Sequence, residues 1–597
     1  MEKAKRTART DIFLYLRDFF RSSENTTGIL LAAIVGVVAG LGAVVFRWLI
    51  TSFQRIFFAG GATAFDFMGD YYVIILPALG GLIFGPMIYF FAREAKGHGV
   101  PEVMAAVAAK GGRIRSRVAV VKSLASAVCI GSGGSVGREG PIVQIGAAFG
   151  SATGQWLKLP ENWVRTLVAC GAAGGISATF NAPIAGVFFA QEVIIRRIVG
   201  PNFLFVVLSS VVANMVSRVF LGSSPSFTVP QYAMTSGWEI LLYLLLGIVV
   251  ALVAWAFIRC LYKFEDVFDA WSFPEYLKPV LGGLCIGAIG FFYPDLFGVG
   301  YGSSYGPGGV FLESGGTDKA LLGELGIGLL LIMGVLKIFA TSLTIGSGGS
   351  GGVFAPSLFM GAMFGGAFGR AVNSLFPAIT SPSGAYAMIG MGALFAAAAR
   401  APITAFIMLF EMTRDYNVIV PLMFAVVASN LVFRWINRES IYTLKVRRLG
   451  VELRPVEERD VMRTVSVEQA MTRDFPSVLP GTPVNAILQM MEEMGHHGFP
   501  VVDGQGIFRG VVTLQDVHDA TEAKDLDVSD LTVDDISTKN PFVAYPDQTL
   551  HEVLRRLGGR DFGRIPVLDR NDRTKLLGCL RRHDFLRAYI RGVSEPR

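Results

Sequence analysis

Long segments without a single charged residue are the feature that most constrains the fold of this chain. Four of them cover residues 28–46, 71–92, 240–258 and 417–433. Each is about long enough to cross the roughly 30 Å hydrocarbon core of a bilayer as a helix. Only 17% of the residues are charged, against about 25% in soluble proteins, which argues against the buried core of a large soluble protein. The sequence therefore predicts an integral, multi-pass membrane protein.

Basic residues at both ends of the apolar region indicate its orientation. Lysine and arginine are concentrated in the first 21 residues and again at 434–448. By the positive-inside rule both termini are predicted to be cytoplasmic, in the cell inner membrane if the source is prokaryotic. The polar start of the chain predicts no cleavable signal peptide. Basic loops beside a membrane also account for the net charge of +6, so no nucleic-acid partner is expected.

The distribution of cysteine and histidine argues against several kinds of site. The five cysteines are scattered and form no CxxC pair, and the six histidines show no metal-ligand spacing. No nucleophile–base pair is visible either. We therefore expect no disulfide framework, no metal site, no catalytic residues and no enzymatic activity.

Composition changes sharply near residue 450, from glycine- and alanine-rich apolar sequence to ordinary soluble sequence. The change predicts a cytoplasmic N-terminal segment at 1–27, a transmembrane domain at 28–450 and a linker at 451–466. Two similar units follow at 467–522 and 532–592, each with an amphipathic helix, a strand reading FPVVD or IPVLD, and a second strand that enters a helix.

The apolar region contains an internal repeat. GSGGSVGREGP at 131–141 and GSGGSGGVFAP at 346–356 are identical at seven of eleven positions, with an offset of 215 residues. NAPIAGVFFAQEV begins at 181 and aligns with RAPITAFIMLFEM, which begins at 400, so that Glu192 aligns with Glu411. Because the two offsets nearly agree, chance similarity is a poor explanation. A duplicated membrane unit is typical of many transport proteins.

Three glycine-rich loops have the chemistry of an anion site. They are GHGVP at 97–101, GREGP at 137–141 and GVFAP at 352–356. Glycine runs at membrane depth indicate a broken helix that lines a cavity. A loop of this kind that enters a helix leaves backbone N–H groups free at the positive end of the helix dipole, where an anion binds. Several such ends hold an anion without a full cationic charge, which would bind too tightly for fast passage.

The three motifs in this order resemble the CLC family of chloride channels and chloride/proton exchangers, and the soluble tail resembles a pair of CBS domains. The resemblance covers residues of about 28–450 and then the whole tail. It implies an all-α membrane domain with two inverted repeats of tilted, broken helices, followed by a cytoplasmic α/β CBS pair. It also implies a homodimer in the bilayer with one pathway per subunit, chloride or a similar small anion as the bound ion, and no required cofactor.

The resemblance assigns roles to individual residues. Glu139 of GREGP matches the gating glutamate, whose carboxylate occupies an anion site when ionised and swings away when protonated, in a voltage- or pH-gated pathway. Tyr442 matches a tyrosine whose hydroxyl contacts the central ion. The complete implied anion-binding set is His98, Gly99, Val100, Gly137, Arg138, Val353, Phe354 and Tyr442.

Two residues depart from the family pattern. His98 replaces the usual serine of the first loop, which leaves the anion preference among chloride, nitrate and others open. Val193 stands where exchangers commonly carry an inner glutamate, and a valine cannot carry a proton. Val193 therefore favours a passive anion channel, with a proton-coupled exchanger as the alternative because some exchangers lack that glutamate.

Glu192, repeated by Glu411, is expected to be structural. A divalent-cation transporter and a nucleotide sensor without transport fit the glycine-rich loops poorly.

In the CBS pair, a Ser/Thr-x-x-Asp element is the implied contact for an adenosine nucleotide of the ATP or AMP type. Thr513 and Asp516 fit this element in the first unit. The second unit keeps Asp584 but has Arg581 in place of the hydroxyl. A carboxylate accepts hydrogen bonds from ribose and an arginine faces phosphate. A CBS pair that binds no ligand and only assists dimerisation is the alternative.

Overall fold

The computed structural model divides the chain into two compact units, Met1–Leu453 and Arg454–Arg597. It describes residues 24–594 except 198–199, 201, 225, 228, 231, 233, 303, 306–310, 313, 453–461, 463–464, 524–530 and 559–562. Most of the predicted N-terminal segment 1–27 and of the predicted linker 451–466 therefore lies outside the described residues.

Helices dominate the first unit. Its first half contains α1 (Glu24–Gln54), α2 (Gly60–Ala64), α3 (Leu76–Phe91), α4 (Val100–Ala109), α5 (Arg117–Gly131), α6 (Glu139–Trp156), α7 (Glu161–Phe180), α8 (Pro183–Phe189) and α9 (Phe203–Leu221). Its second half contains α10 (Glu239–Ala270), α11 (Lys278–Phe292), α12 (Gly316–Leu321), α13 (Ile327–Gly346), α14 (Phe354–Leu375), α15 (Ser383–Ala399), α16 (Pro402–Thr413), α17 (Ile419–Ile436) and α18 (Ile441–Arg448).

The two halves of the first unit contact each other reciprocally. Glu192 accepts a hydrogen bond from the backbone N–H of Thr404 at 2.8 Å, and Glu411 accepts one from the N–H of Ala185 at 2.7 Å. Residues 185 and 404 are separated by the same offset of 219 as the two glutamates. Each half therefore caps a helix of the other, which relates the halves by an approximate two-fold axis.

Two details differ from the sequence-based expectation for this unit. The apolar stretch 71–92 is not one helix, because the 3₁₀ segment Asp66–Ile74 and α3 meet at a bend of 61°. The unit also contains one short antiparallel strand pair, β1 (Ser304–Tyr305) with β2 (Phe311–Leu312), so it is helical with this single exception among the described residues.

Several helices have the length and composition of membrane spans. Within the described ranges, six helices are long and apolar enough to cross a membrane, and the bent pair at 66–91 is a further candidate. Shorter apolar helices, including α4, α8, α15 and α16, end within the first unit. Short helices that meet in pairs are the arrangement expected where broken helices line a pathway.

The second unit is a pair of α/β modules. The first contains α19 (Val467–Ala470), α20 (Val484–Met494), β3 (Gly498–Val502), β4 (Phe508–Thr513) and α21 (Leu514–Ala523). The second contains α22 (Val533–Ile536), α23 (Leu550–Leu557), β5 (Arg564–Leu568), β6 (Leu576–Arg581) and α24 (Arg582–Ser594). Both strand pairs are antiparallel, and both have an irregularity near the end of their first strand.

The modules exchange their first helices. Val467 of α19 is buried in the core formed by residues of the second module, and Val533 of α22 is buried in the core of the first. The N–H of Val467 donates to the carbonyl of Gln548 at 2.8 Å, and the N–H of Val533 donates to the carbonyl of Thr482 at 2.9 Å. Because each core is completed by the other module, the two modules form one folding unit.

Candidate functional site

The N-terminal ends of α4, α6 and α14 carry the three glycine-rich loops of the sequence. The residues that precede these helices are Gly99, Arg138 and Val353, and none of them caps its helix with a side-chain hydrogen bond. The first N–H groups of an α-helix have no partner within the helix. Three uncapped helix ends therefore present donors that suit an anion.

The three loops meet at Gly140, the second residue of α6. A Cβ atom at this position would lie 2.0 Å from the carbonyl oxygen of His98 and 2.9 Å from Cα of Gly352. Gly137 and Gly352 also exchange backbone hydrogen bonds of 2.8 and 2.6 Å across the approximate two-fold axis. Only glycine permits backbones to approach this closely, so the sequence brings all three loops to one point.

The side chain of Glu139 lies at this junction and is only 1% exposed. Its Oε1 accepts a hydrogen bond from the Tyr301 hydroxyl at 2.8 Å. Its Oε2 has no hydrogen-bond partner of normal geometry among the described residues, although the backbone N–H of Ala355 faces it. The carboxylate thus lies between the starts of α6 and α14, where an anion would find the same donors.

His98 and Tyr442 are both buried in the same part of the first unit. The described residues offer neither ring nitrogen of His98 a hydrogen-bond partner. Its ring lies 6.1 Å from the ring of Tyr262, whose hydroxyl donates to the carbonyl of Ile441, the residue before Tyr442. The ammonium groups of Lys122 and Lys445 lie near the imidazole, and that of Lys445 is paired with Glu265.

Aromatic packing fixes the start of α14. The ring of Phe354 lies 5.0 Å from that of Phe180 and 4.4 Å from that of Phe395. Val353 is buried beside it. The side chains of both residues are used in packing, so the groups that they offer to an anion are their backbone N–H groups.

A cavity of about 190 Å³ lies beside Glu139. Its lining includes Arg47, Arg138, Arg218, Asp295 and Tyr301. Arg138 places its guanidinium 5.3 Å from the centre of the Tyr301 ring. The excess of positive charge in the lining attracts anions toward the position of Glu139.

Comparison with known proteins identifies the family of this chain. The family model described as voltage gated chloride channel matches residues 80–434. The chain belongs to this family, the CLC proteins. The CBS domain model matches residues 467–522 and 533–591. The predicted family, fold class and CBS pair are therefore confirmed, and the chain is an integral membrane protein with several spans.

Relatives within the CLC family include both channels and exchangers by name. A putative chloride channel protein ClcB-like from Ralstonia nicotianae is 32% identical over 70% of this chain and 96% of its own length. The H⁺/Cl⁻ exchange transporter ClcA of Vibrio cholerae is 34% identical over 61% of this chain and 76% of its own length. The crystal structure of a slow cyanobacterial Cl⁻/H⁺ antiporter, 25% identical, matches with a TM-score of 0.64 over 72% of this chain and 99% of its own.

Val193, the departure from the exchanger pattern, is buried in a π-helical turn at Ala190–Ile195 that follows α8. Its neighbour Glu192 accepts hydrogen bonds from Ile403 and Thr404 at the start of α16. Glu192 is therefore engaged in holding the two halves together, as the sequence repeat predicts.

Sequence reasoning missed Tyr301 and two buried lysines. Lys122 donates to the carbonyls of Ala95 and Gly97, and Lys337, 215 residues later, donates to those of Leu296 and Gly298. Charged residues in apolar helices of a membrane protein are expensive and therefore functional by default. That signal, together with the repeat offset, was available in the sequence for both lysines.

The two candidate nucleotide carboxylates of the CBS pair are engaged within the protein. Asp516 accepts hydrogen bonds from the N–H and hydroxyl of Thr513 and from the hydroxyl of Thr538. Asp584 accepts from the backbone and side chain of Arg581 and from the hydroxyl of Thr472. Both carboxylates thus cap the helix that follows a strand, and nucleotide binding stays a prediction.

Proposed function

We propose that this chain exchanges chloride, or a similar small anion, for protons across the membrane, with Glu139 serving both ions. The observation that carries the proposal is the buried Glu139 carboxylate between the uncapped starts of α6 and α14. The names of the Vibrio cholerae exchange transporter and of the cyanobacterial antiporter support it further. This choice reverses the channel expected from Val193, because relatives with proton coupling match over long segments of the chain.

Mutual exclusion between a carboxylate and an anion would couple the two ions. An ionised Glu139 occupies the donors of the helix ends and keeps an anion out, because both groups are negative and need the same N–H groups. Protonation removes the charge of the carboxyl group and weakens its hold on those donors. The side chain then leaves, an anion enters, and the proton travels with Glu139 in the opposite direction.

The anion on this pathway would contact backbone N–H groups at Gly99, Val100, Val353 and Phe354. Gly137 is a poorer candidate than the sequence suggested, because its N–H already donates to the carbonyl of Gly352 at 2.8 Å. His98 and Arg138 add donors on two sides, and Tyr442 adds a hydroxyl. Apart from the Arg138 guanidinium, these are dipoles and neutral donors, which bind an anion strongly enough for entry and weakly enough for release.

Measurement of the reversal potential tests the exchange. The full-length protein is reconstituted in proteoliposomes with a chloride gradient and a superimposed pH gradient. We expect the reversal potential to move when the pH gradient is reversed. We expect Glu139→Gln to abolish that movement while chloride still passes, because glutamine cannot carry the proton. Proton-coupled transport that persists unchanged in Glu139→Gln would contradict the proposal.

A passive anion channel is the second candidate, and Val193 is the observation that favours it. In that case the reversal potential follows chloride alone and ignores the pH gradient. Val193→Glu separates the two candidates further, because a carboxylate at this position gives protons an inner acceptor. Met412, which aligns with Val193 in the second half, provides the matched Met412→Glu control.

We further propose that both termini are cytoplasmic and that the chain works as a homodimer with one pathway in each subunit. In this orientation the end of α1 near Gln54, and the cavity lined by Arg47, face the outside. Protease accessibility of the CBS pair in sealed inside-out vesicles tests the orientation, and the mass of the detergent-solubilised protein tests the dimer. Nucleotide regulation is tested by adding ATP or AMP on the side of the membrane that carries the CBS pair and measuring the anion flux.

A further inference from the structure

A fourth glycine-rich loop, GVGYG at 298–302, is the structural counterpart of GHGVP in the other half of the first unit. Lys337 holds its carbonyls at Leu296 and Gly298 as Lys122 holds those of Ala95 and Gly97. Gly99 and Gly300 have φ values of +86° and +85°, a left-handed conformation that favours glycine. The two-fold relation of the halves thus extends to this loop.

The two loops end differently. In GHGVP the residue after the second glycine, Val100, begins α4 and offers its backbone N–H. In GVGYG the same position is Tyr301, which lies outside any helix and offers a side chain instead. Its hydroxyl donates to Oε1 of Glu139 at 2.8 Å.

Packing fixes the position of that hydroxyl. Tyr301 is only 8% exposed, and the centre of its ring lies 5.2 Å from that of Phe227. The Arg138 guanidinium lies over the ring, at 5.3 Å from its centre. Tyr301 and Arg138 also line the cavity, so Tyr301 contacts both the cavity and the Glu139 carboxylate.

We propose that Tyr301 is a latch that holds ionised Glu139 in the closed position and so sets the pH at which the pathway opens. The inference rests on the proposed role of Glu139. A hydrogen bond from a hydroxyl to a carboxylate is stronger than one between neutral groups, so it stabilises the ionised, docked side chain. Tyr301 is a positioning residue, since it acts on the ions through Glu139.

Other charged and titratable groups face Glu139 and act in parallel with the latch. They are Arg138 beside it, Lys337 of α13 and Tyr442 of α18. All three remain in place when only the Tyr301 hydroxyl is removed, so Tyr301→Phe isolates the latch.

The test is the pH dependence of chloride flux in proteoliposomes of the full-length protein. Without the latch, Glu139 becomes protonated and leaves the site at higher pH. We expect Tyr301→Phe to move the half-maximal pH upward by about one unit, since a hydrogen bond to a charged group is worth roughly tenfold in equilibrium. In the Glu139→Gln background, Tyr301→Phe should change nothing further.

The matched control is Tyr243→Phe, which also removes a buried hydroxyl bound to a glutamate, Glu239, at 3.0 Å. It should leave the pH profile unchanged. Incorporation of 3,5-difluorotyrosine at 301 keeps the ring volume and strengthens donation, so it should move the half-maximal pH downward even if Tyr301→Phe folds poorly.

Different outcomes would contradict the latch and the proposed role of Glu139 on which it rests. A pH profile of folded Tyr301→Phe that superimposes on the wild type, while Glu139→Gln alters it, overturns the latch alone. An equal shift in Tyr243→Phe does the same. A profile that Glu139→Gln leaves unchanged overturns the proposed role of Glu139 and the latch with it.

Discussion

The two halves of the membrane unit have the same backbone plan and carry different chemistry on it. Glu139 and Phe354 are equivalent first residues of α6 and α14, 215 positions apart. One is a carboxylate that contacts the Tyr301 hydroxyl, and the other is a ring packed between Phe180 and Phe395. Duplication therefore supplies helix ends twice, whereas the ionisable group at their junction is supplied once.

The largest effect is expected at Gly140, whose counterpart in the second half is Ala355. Gly140→Ala would place a Cβ 2.0 Å from the carbonyl of His98, so the first loop must move. We expect about 3 kcal/mol of destabilisation, seen as a lower Tm in detergent, and loss of chloride flux.

The reciprocal variant, Ala355→Gly, is the control. It removes a methyl group at the start of a helix and should cost at most about 1 kcal/mol, with transport retained. Wild-type Tm and flux in Gly140→Ala would contradict the convergence of the three loops at this residue.

Lys122→Met and Lys337→Met test whether the equivalent buried lysines of the two halves have separate roles. Lys337→Met leaves the carbonyls of Leu296 and Gly298 without a hydrogen-bond donor among the described residues, which costs about 2–3 kcal/mol. In Lys122→Met the carbonyl of Ala95 still accepts from the Ser350 hydroxyl and that of Gly97 from the Gly351 N–H, so we expect a smaller loss in Tm. The effects of the two variants on transport should differ, because Lys122 supports the His98 loop and Lys337 supports the Tyr301 loop. Lys122→Met should weaken chloride binding, whereas Lys337→Met should change the pH profile; identical functional changes would contradict the division of roles.

Glu192→Gln and Glu411→Gln test whether the reciprocal caps are equivalent. Each variant replaces a charged acceptor at a helix start by a neutral one, at a cost of about 1 kcal/mol. Equal decreases in Tm and unchanged proton coupling are expected in both. A loss of coupling confined to Glu192→Gln would show that Glu192 carries protons besides capping α16.

His98→Ser should have the smallest effect on stability and a selective effect on function. The substitution puts a hydroxyl in place of an imidazole whose nitrogens have no hydrogen-bond partner among the residues that the structure describes. We expect the ratio of chloride to nitrate flux to change severalfold, while Val299→Ser at the equivalent position of GVGYG leaves it unchanged. An unaltered ion preference and pH response in His98→Ser would remove the imidazole from the pathway.

Much of the fold could be predicted from the sequence because local patterns of residues indicate it. Charge-free segments predicted the membrane unit, the 215-residue offset predicted the duplication, and strands such as FPVVD predicted the CBS pair. The glycine-rich loops predicted that each of them enters a helix, and the structure has helices that begin at residues 100, 139 and 354. These features follow from residue spacing alone, since each is set by neighbours along the chain.

Contacts between distant segments could not be predicted from the sequence. Glu139 and Tyr301 are 162 residues apart, and no periodicity links a glutamate in one loop to a tyrosine in another. The same holds for the exchange of α19 and α22 between the CBS modules. The sequence by itself determined which backbone ends are free to bind an anion. The packing of the two halves determines which side chain lies among these helix ends and which hydrogen bond holds it. Both depend on the close approach of backbones that are far apart along the chain, and no local pattern of residues predicts that approach.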